Sequence, residues 1–315
     1  RLRETRNGVS IETYNMNHGL EYNLPGVATD IIDNNTTWTI AEHPIEKYAH
    51  DTHWATEKVF DYWLQVHNRN SWDGNGGAIK SYIEYGDYQL GGFFFKYPYP
   101  CVAYGRGNGS CYKEGSSLDN VAHELGHGIC YYTSDLYYGG DPGAINESFS
   151  DIWGAVIENW AAPSSPPKQK WKIGEEFTLA SPGYIRDMAN PSSTNDNPSC
   201  GFHKQPDTYN GPGYIPGANV HKNSGIMNYW FYLLTEGSGG NQTNDVGNIF
   251  NVTGIGITKS AKIAYETEKA PLSLYANFFE ARAVSIWKAR KLYGGGCKGS
   301  AEEIAVTKAW YAVNV

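Results

Sequence analysis

His123-Glu124-Leu125-Gly126-His127, followed after nineteen intervening residues by Glu147, constrains this chain more than any other stretch of it. Two histidines at i and i+4 can serve one small cation if the backbone between them is helical, because a helix sets them on one face about 6 Å apart along its axis. Glu124 then lies about 100° round from the first histidine, beside such an ion rather than on it. The motif helix is expected from Asp119 to about Thr133, and a second helix over 147–159 carries Glu147 as the third ligand. Two His and one Glu form a recognised catalytic zinc set that keeps a fourth position for water. Zinc in an open site brings the pKa of bound water toward 7 and polarises a carbonyl, while an adjacent carboxylate takes the proton and hands it to the leaving amine. The chemistry implied is amide hydrolysis without a covalent intermediate.

A bare HExxH also arises in ordinary helices whose histidines merely pack. Here the flanks favour the metal. Val121, Ala122 and Ile129 give the helix an apolar side, and Asn146 and Asp151 flank Glu147 as polar partners for the second ring N–H that ligating histidines donate.

Over most of its length the sequence resembles the thermolysin-like neutral metallopeptidases. The resemblance rests on the motif above, on His67-Asn68-Arg69 through Ser71-Trp72-Asp73-Gly74-Asn75 to Ala78-Ile79-Lys80, on Arg186-Asp187-Met188, and on Val220-His221-Lys222-Asn223-Ser224-Gly225. Carried over by motif, it makes His123, His127 and Glu147 the ligands of one zinc and Glu124 the base. It implies that Tyr138 and His221 stabilise the tetrahedral oxyanion, that Arg186 holds a substrate carbonyl, and that Asp151 and Asn146 orient His123 and His127. It also implies protein or peptide substrates, a secretory signal and a propeptide removed before maturation, and hence a secreted, extracellular monomer. An endopeptidase is favoured, since the exopeptidase branch of HExxH enzymes places its third Glu one residue closer. A silent adhesion domain would lack a ligand or Glu124, and neither is missing.

Several positions depart from the family pattern. The Asn-Ala pair that binds substrate backbone becomes Gly91-Gly92, ahead of Phe93-Phe94-Phe95, a run suited both to an edge strand and to the core. Asn120 stands where the pocket for the residue after the scissile bond has an aliphatic side chain, while Ile185 keeps the other wall apolar, so hydrophobic residues are expected there with weakened discrimination. The carboxylate partner of the oxyanion histidine is replaced by Asn219, which offers His221 an acceptor without charge. Asp119, Glu158 and Glu175 match calcium ligands, but Lys170 and Lys172 occupy places where the family has acids. Calcium takes six to eight oxygens and tolerates adjacent ammonium groups poorly, so at most one Ca2+ is expected.

The remaining sequence fits a one- or two-domain protein with a large core. With 25 basic against 33 acidic residues in 315 the chain is acidic, which argues against nucleic-acid binding, and no apolar run is long enough to span a membrane. The five cysteines leave at least one unpaired; Cys101 with Cys111 and Cys200 with Cys297 are candidate pairs, and Cys130 is read as a packed thiol rather than a ligand. His50 and His53 read as packing or surface hydrogen-bonding residues, since no third ligand follows at useful spacing.

Strand patterns dominate 1–43 and 77–105, with a helix from Ile45 to Val66 between them started by Pro44. Helical patterns recur over 224–236, 258–268, 273–293 and 301–312, with loops over 162–170 and 191–216. The expected fold is α+β and thermolysin-like, with a β-rich N-terminal domain over 1–118 and a helical C-terminal domain over 119–315. The motif helix is expected at the floor of a cleft between them.

Overall fold

Val9, Ile11 and Thr13 alternate with more exposed neighbours along β2 (Val9–Asn15), the period-two signature of a strand with one face on the core. In the computed structural model, which describes residues 1–32, 44–87, 91–113, 117–161 and 169–315, this strand belongs to a mixed sheet. Its companions are β1 (Arg3–Arg6), β3 (Thr29–Asp30), β4 (Ile79–Tyr85), β5 (Gly92–Phe95) and β6 (Cys101–Gly105). The order is β1-β2-β4-β6-β5, with β3 on β2; the β2–β4 and β4–β6 pairs are parallel and the others antiparallel. A parallel step needs a crossover, and α1 (Pro44–His67) supplies the one between β2 and β4.

The chain divides into two compact units. The first comprises Arg1–Tyr132, Trp153–Lys170 and Gly174–Tyr184 and holds the sheet and α1. Its β5 ends the sheet, so the Phe93–Phe95 run is an edge strand and a packing element at once. Phe93 and Phe95 stack with ring centroids 6.0 Å apart and lean on Tyr85, while Phe94 meets Trp72 edge to face. The motif helix α2 (Leu118–Tyr131) is buried from Leu118 to Cys130 and packs on α1 and β5. Gly128 permits that approach, because a Cβ there would lie 2.8 Å from the Trp72 ring.

The second unit comprises Thr133–Ile152, Trp171–Ile173 and Ile185–Val315. It begins with most of α3 (Gly140–Ala161) and continues, after the short pair β7 (Lys172–Ile173) and β8 (Arg186–Asp187), through α4 (Val220–Asn223) and α5 (Gly225–Glu236). A second short pair, β9 (Gln242–Thr243) and β10 (Ile249–Phe250), precedes α6 (Ile257–Glu268), α7 (Phe278–Tyr293) and α8 (Ala301–Ala312). Asn277 and Ser300 cap α7 and α8 by accepting from the backbone N–H of Glu280 and Glu303, which satisfies donors a helix start leaves open. Trp230 and Trp310 stack at 4.7 Å in this unit's core, and the Trp310 indole N–H donates to Ser285 Oγ at 2.8 Å. The fold is α+β, as its element pattern implied; part of the expected 162–170 loop, residues 162–168, lies outside the described residues.

Both expected cysteine pairings are overturned. Cys101 is a thiol on β6, packed with Met16, Tyr82, Tyr85 and Ala103, and burial pushes its pKa up to about 12. Cys297 is an exposed thiol, while Cys111 and Cys200 are disulfide-bonded. The side of β6 on which Cys101 falls decides this, and an apolar cluster holds it there.

Candidate metal centre

His123 and His127 fall one turn apart on α2, as their spacing requires, with Nε2 atoms 3.1 Å apart. Each offers one ring nitrogen, and Glu147 on α3 offers a carboxylate oxygen; the three atoms all lie within 4.8 Å of one another, and all three residues are buried. Two ligands at the usual 2.0–2.1 Å from a tetrahedral zinc stand about 3.3 Å apart, so the histidine pair already has nearly the separation one ion demands. Two imidazoles and one carboxylate suit zinc by donor type as well.

Around Glu147 the second unit assembles the other polar groups. Tyr138, half exposed, donates its hydroxyl to Glu147 Oε1, and His221 Nε2 lies 3.4 Å from the same oxygen. Gly143 lets α4 come close, since a Cβ on it would meet Val220 Cγ1 at 2.4 Å. Asn219 caps α4: its Oδ1 accepts from the His221 backbone N–H at 2.9 Å and lies 2.9 Å from His221 Nδ1. A backbone N–H can only donate, so the side-chain atom facing it is the oxygen, and His221 Nδ1 must carry the proton that bond needs. His221 therefore turns Nε2 toward Glu147.

Asp151, fully buried, accepts from Arg186 Nε at 2.7 Å and Nη2 at 2.6 Å, and from Asn228 Nδ2 at 2.8 Å. The resemblance gives Arg186 a substrate carbonyl to hold, and this bidentate bond fixes the plane of its guanidinium. Asn228 in turn accepts from Ser148 on α3 at 2.7 Å. Sequence reasoning does not single out Asn228, because its position on α5 carries no motif. Asn146 and Asn120 are buried, and Ile185 is half-buried.

Glu124 rests against β5. A Cβ built on Gly92 would come within 2.5 Å of Glu124 Cγ and 2.6 Å of its Oε1, so this glycine and this carboxylate position go together. Gly91, next to it, has φ +78, a conformation that glycine adopts freely and most other residues do not. Tyr104, the cross-strand neighbour of Gly92, is fully buried, and burial with the nearby Glu124 charge pushes its hydroxyl pKa well up.

Among the described residues, Asp119, Glu158 and Glu175 are not among the triads whose ligating atoms lie within 4.8 Å. Asp119 accepts from Ser117 Oγ and the Asn120 N–H on Oδ1, and from the Gly174 N–H at 2.5 Å on Oδ2. Burial, with Asp119, Glu175 and Glu176 close by, pushes the Glu158 carboxyl up to about 9.

Two family profiles cover almost the whole chain: the thermolysin metallopeptidase catalytic domain over residues 1–131 and the thermolysin metallopeptidase alpha-helical domain over residues 134–315. The chain belongs to the thermolysin metallopeptidase family. A bacillolysin of Brevibacillus brevis is 35% identical over 100% of the chain and 53% of the relative. The transglutaminase-activating metalloprotease of Streptomyces mobaraensis is 31% identical over 96% of the chain and 38% of its own length, and the neutral protease NprE of Bacillus pumilus 31% over 98% and 88%. The chain thus spans about half the length, or less, of several curated relatives it matches. The precursor of protealysin from Serratia proteamaculans has the same fold, with a TM-score of 0.76 at 24% identity over 99% of this chain and 89% of that one. The family implies a catalytic zinc, and His123, His127 and Glu147 form a group able to hold one metal ion.

Proposed function

We propose that this chain is the catalytic part of a secreted zinc endopeptidase that acts on proteins and peptides after release from its own propeptide and works as a monomer. The buried His123, His127 and Glu147 set, with its ligating atoms within 4.8 Å, carries that reading. Zinc held there supplies Lewis acidity to the scissile carbonyl and to water. Glu124 takes the proton from the attacking water and passes it to the leaving amine. Tyr138 and, as the imidazolium with a proton on each ring nitrogen, His221, both turned to Glu147, donate to the developing oxyanion, and Arg186, braced by Asp151, holds a substrate carbonyl. Asn146 and Asp151 orient the ligating histidines. Gly91 and Gly92 open the edge of β5 to an extended substrate. Asn120 and Ile185 flank the pocket for the residue at the new N-terminus, so cleavage before hydrophobic residues is expected, with Asn120 weakening discrimination.

The test is digestion of a blocked internal peptide and of an unfolded protein, with fragments mapped by mass spectrometry. Treatment with phenanthroline should remove the zinc and reduce hydrolysis to background, and zinc should restore it. Full activity after exhaustive chelation would refute the metal mechanism. Cleavage confined to terminal residues would make the enzyme an exopeptidase.

Calcium at Asp119, Glu158 and Glu175 is proposed at no more than one ion, since two oxygens of Asp119 already accept three protein hydrogen bonds. A carboxyl raised in the folded state contributes stability that is fully present below its unfolded pKa and lost as pH rises through the folded one. For Glu158 that window runs from the ordinary 4.5 to about 9. In calcium-free buffer the unfolding midpoint should therefore decline across it, and Glu158→Gln should flatten the decline. A pH slope unchanged in Glu158→Gln would remove Glu158 as its cause.

A further inference from the structure

We propose that Glu4, His53 and Glu57 form a second metal site, a structural one that takes a divalent zinc-class ion between β1 and α1. One ligating atom from each of the three lies within 4.8 Å of the other two. His53 and Glu57 are one turn apart on α1, with Nε2 and Oε1 separated by 3.6 Å, near the roughly 3.3 Å expected of two ligands on one tetrahedral ion. Glu4 arrives from β1, about fifty residues away in the chain, which is why histidine spacing along α1 gives no sign of a third ligand.

The surroundings have the form of an outer shell. His53 is buried, and its Nδ1 lies 2.9 Å from the hydroxyl of Thr13, itself buried on β2, so the ring is held with Nε2 toward the two carboxylates. Arg6 binds Glu57 Oε2 at 2.8 Å and Asp61 Oδ2 at 2.7 Å, and also contacts Glu4. That leaves Glu57 Oε1 as the oxygen turned to His53. One guanidinium thus faces three carboxylates, and burial holds the His53 pKa below the ordinary value, so the ring is not the missing positive charge. Burial and the neighbouring Glu4 raise the pKa of Glu57, and Arg6 and, more weakly, Lys58, whose ammonium lies over the Trp54 ring, offset this only in part. A donor set of one imidazole and two carboxylates suits zinc and its first-row neighbours and not calcium, which takes oxygen ligands.

The experiment is a calorimetric titration of the zinc-loaded enzyme with Zn2+ alone, beside the same titration of Glu4→Gln and Glu57→Gln. Glu4 and Glu57 are only half-buried, so both variants keep the fold, and circular dichroism without added metal checks this. The parent should take up one further zinc per chain with a rise in its unfolding midpoint. Each variant should bind that further zinc at least about tenfold more weakly and keep its catalytic zinc, since a lost ligand or its partner commonly costs ten- to a hundredfold. Saturation at one zinc per chain would overturn the proposal. So would a further zinc that binds both variants as tightly as the parent, or displacement of the further zinc by an equal concentration of Ca2+.

Discussion

Glu124→Gln should lower peptide hydrolysis by at least about a hundredfold, the ordinary size of a lost general base, while the zinc content stays unchanged. Glutamine keeps the length and branching of the side chain, so its packing against Gly92 on β5 persists and only the proton acceptor is removed. His123, His127 and Glu147 are untouched, and metal analysis separates a lost base from a lost ligand. Parallel loss of zinc and activity would mean that Glu124 belongs to the ligand set.

Arg186→Ala should destabilise the folded chain by about 3–5 kcal/mol, because it strips the bidentate partner from a carboxylate with no exposed surface. Asn228 Nδ2, at 2.8 Å from Asp151 Oδ2, is neutral and cannot replace a guanidinium that fills both oxygens. Arg186→Lys keeps the charge and loses the fork, so it should fall between the parent and the alanine variant. Denaturant unfolding at neutral pH measures the difference. A change below about 1 kcal/mol, the range of exposed pairs, would show that the Arg186–Asp151 pair contributes no more than a surface ion pair.

Local spacing alone makes the histidine pair of the metal triad legible, while Glu147, on a separate helix, is named by the motif that the family resemblance supplies. His123 and His127 have to share a face once α2 is helical, and a run of apolar positions makes α2 helical. The helices over 224–236, 258–268 and 301–312 are legible for the same reason, each observed within a residue of its expected bounds as Gly225–Glu236, Ile257–Glu268 and Ala301–Ala312. The start of α3 is not, since the helix is expected from Glu147 but opens seven residues earlier at Gly140, with Pro142 in its first turn.

What depends on distant chain segments is fixed only in three dimensions. Cys101 cannot be paired by its spacing from Cys111, since the face of β6 it occupies belongs to an apolar cluster built from residues as far away as Met16. The three-way meeting of Glu4, His53 and Glu57 and the clasp of Arg186 and Asn228 on Asp151 have the same origin. The sequence by itself determined which residues can bind a metal through one helix, because a helical repeat is a property of neighbours. Only the tertiary structure decided which carboxylates, amides and thiols meet from separate elements, because packing, not spacing, sets those distances.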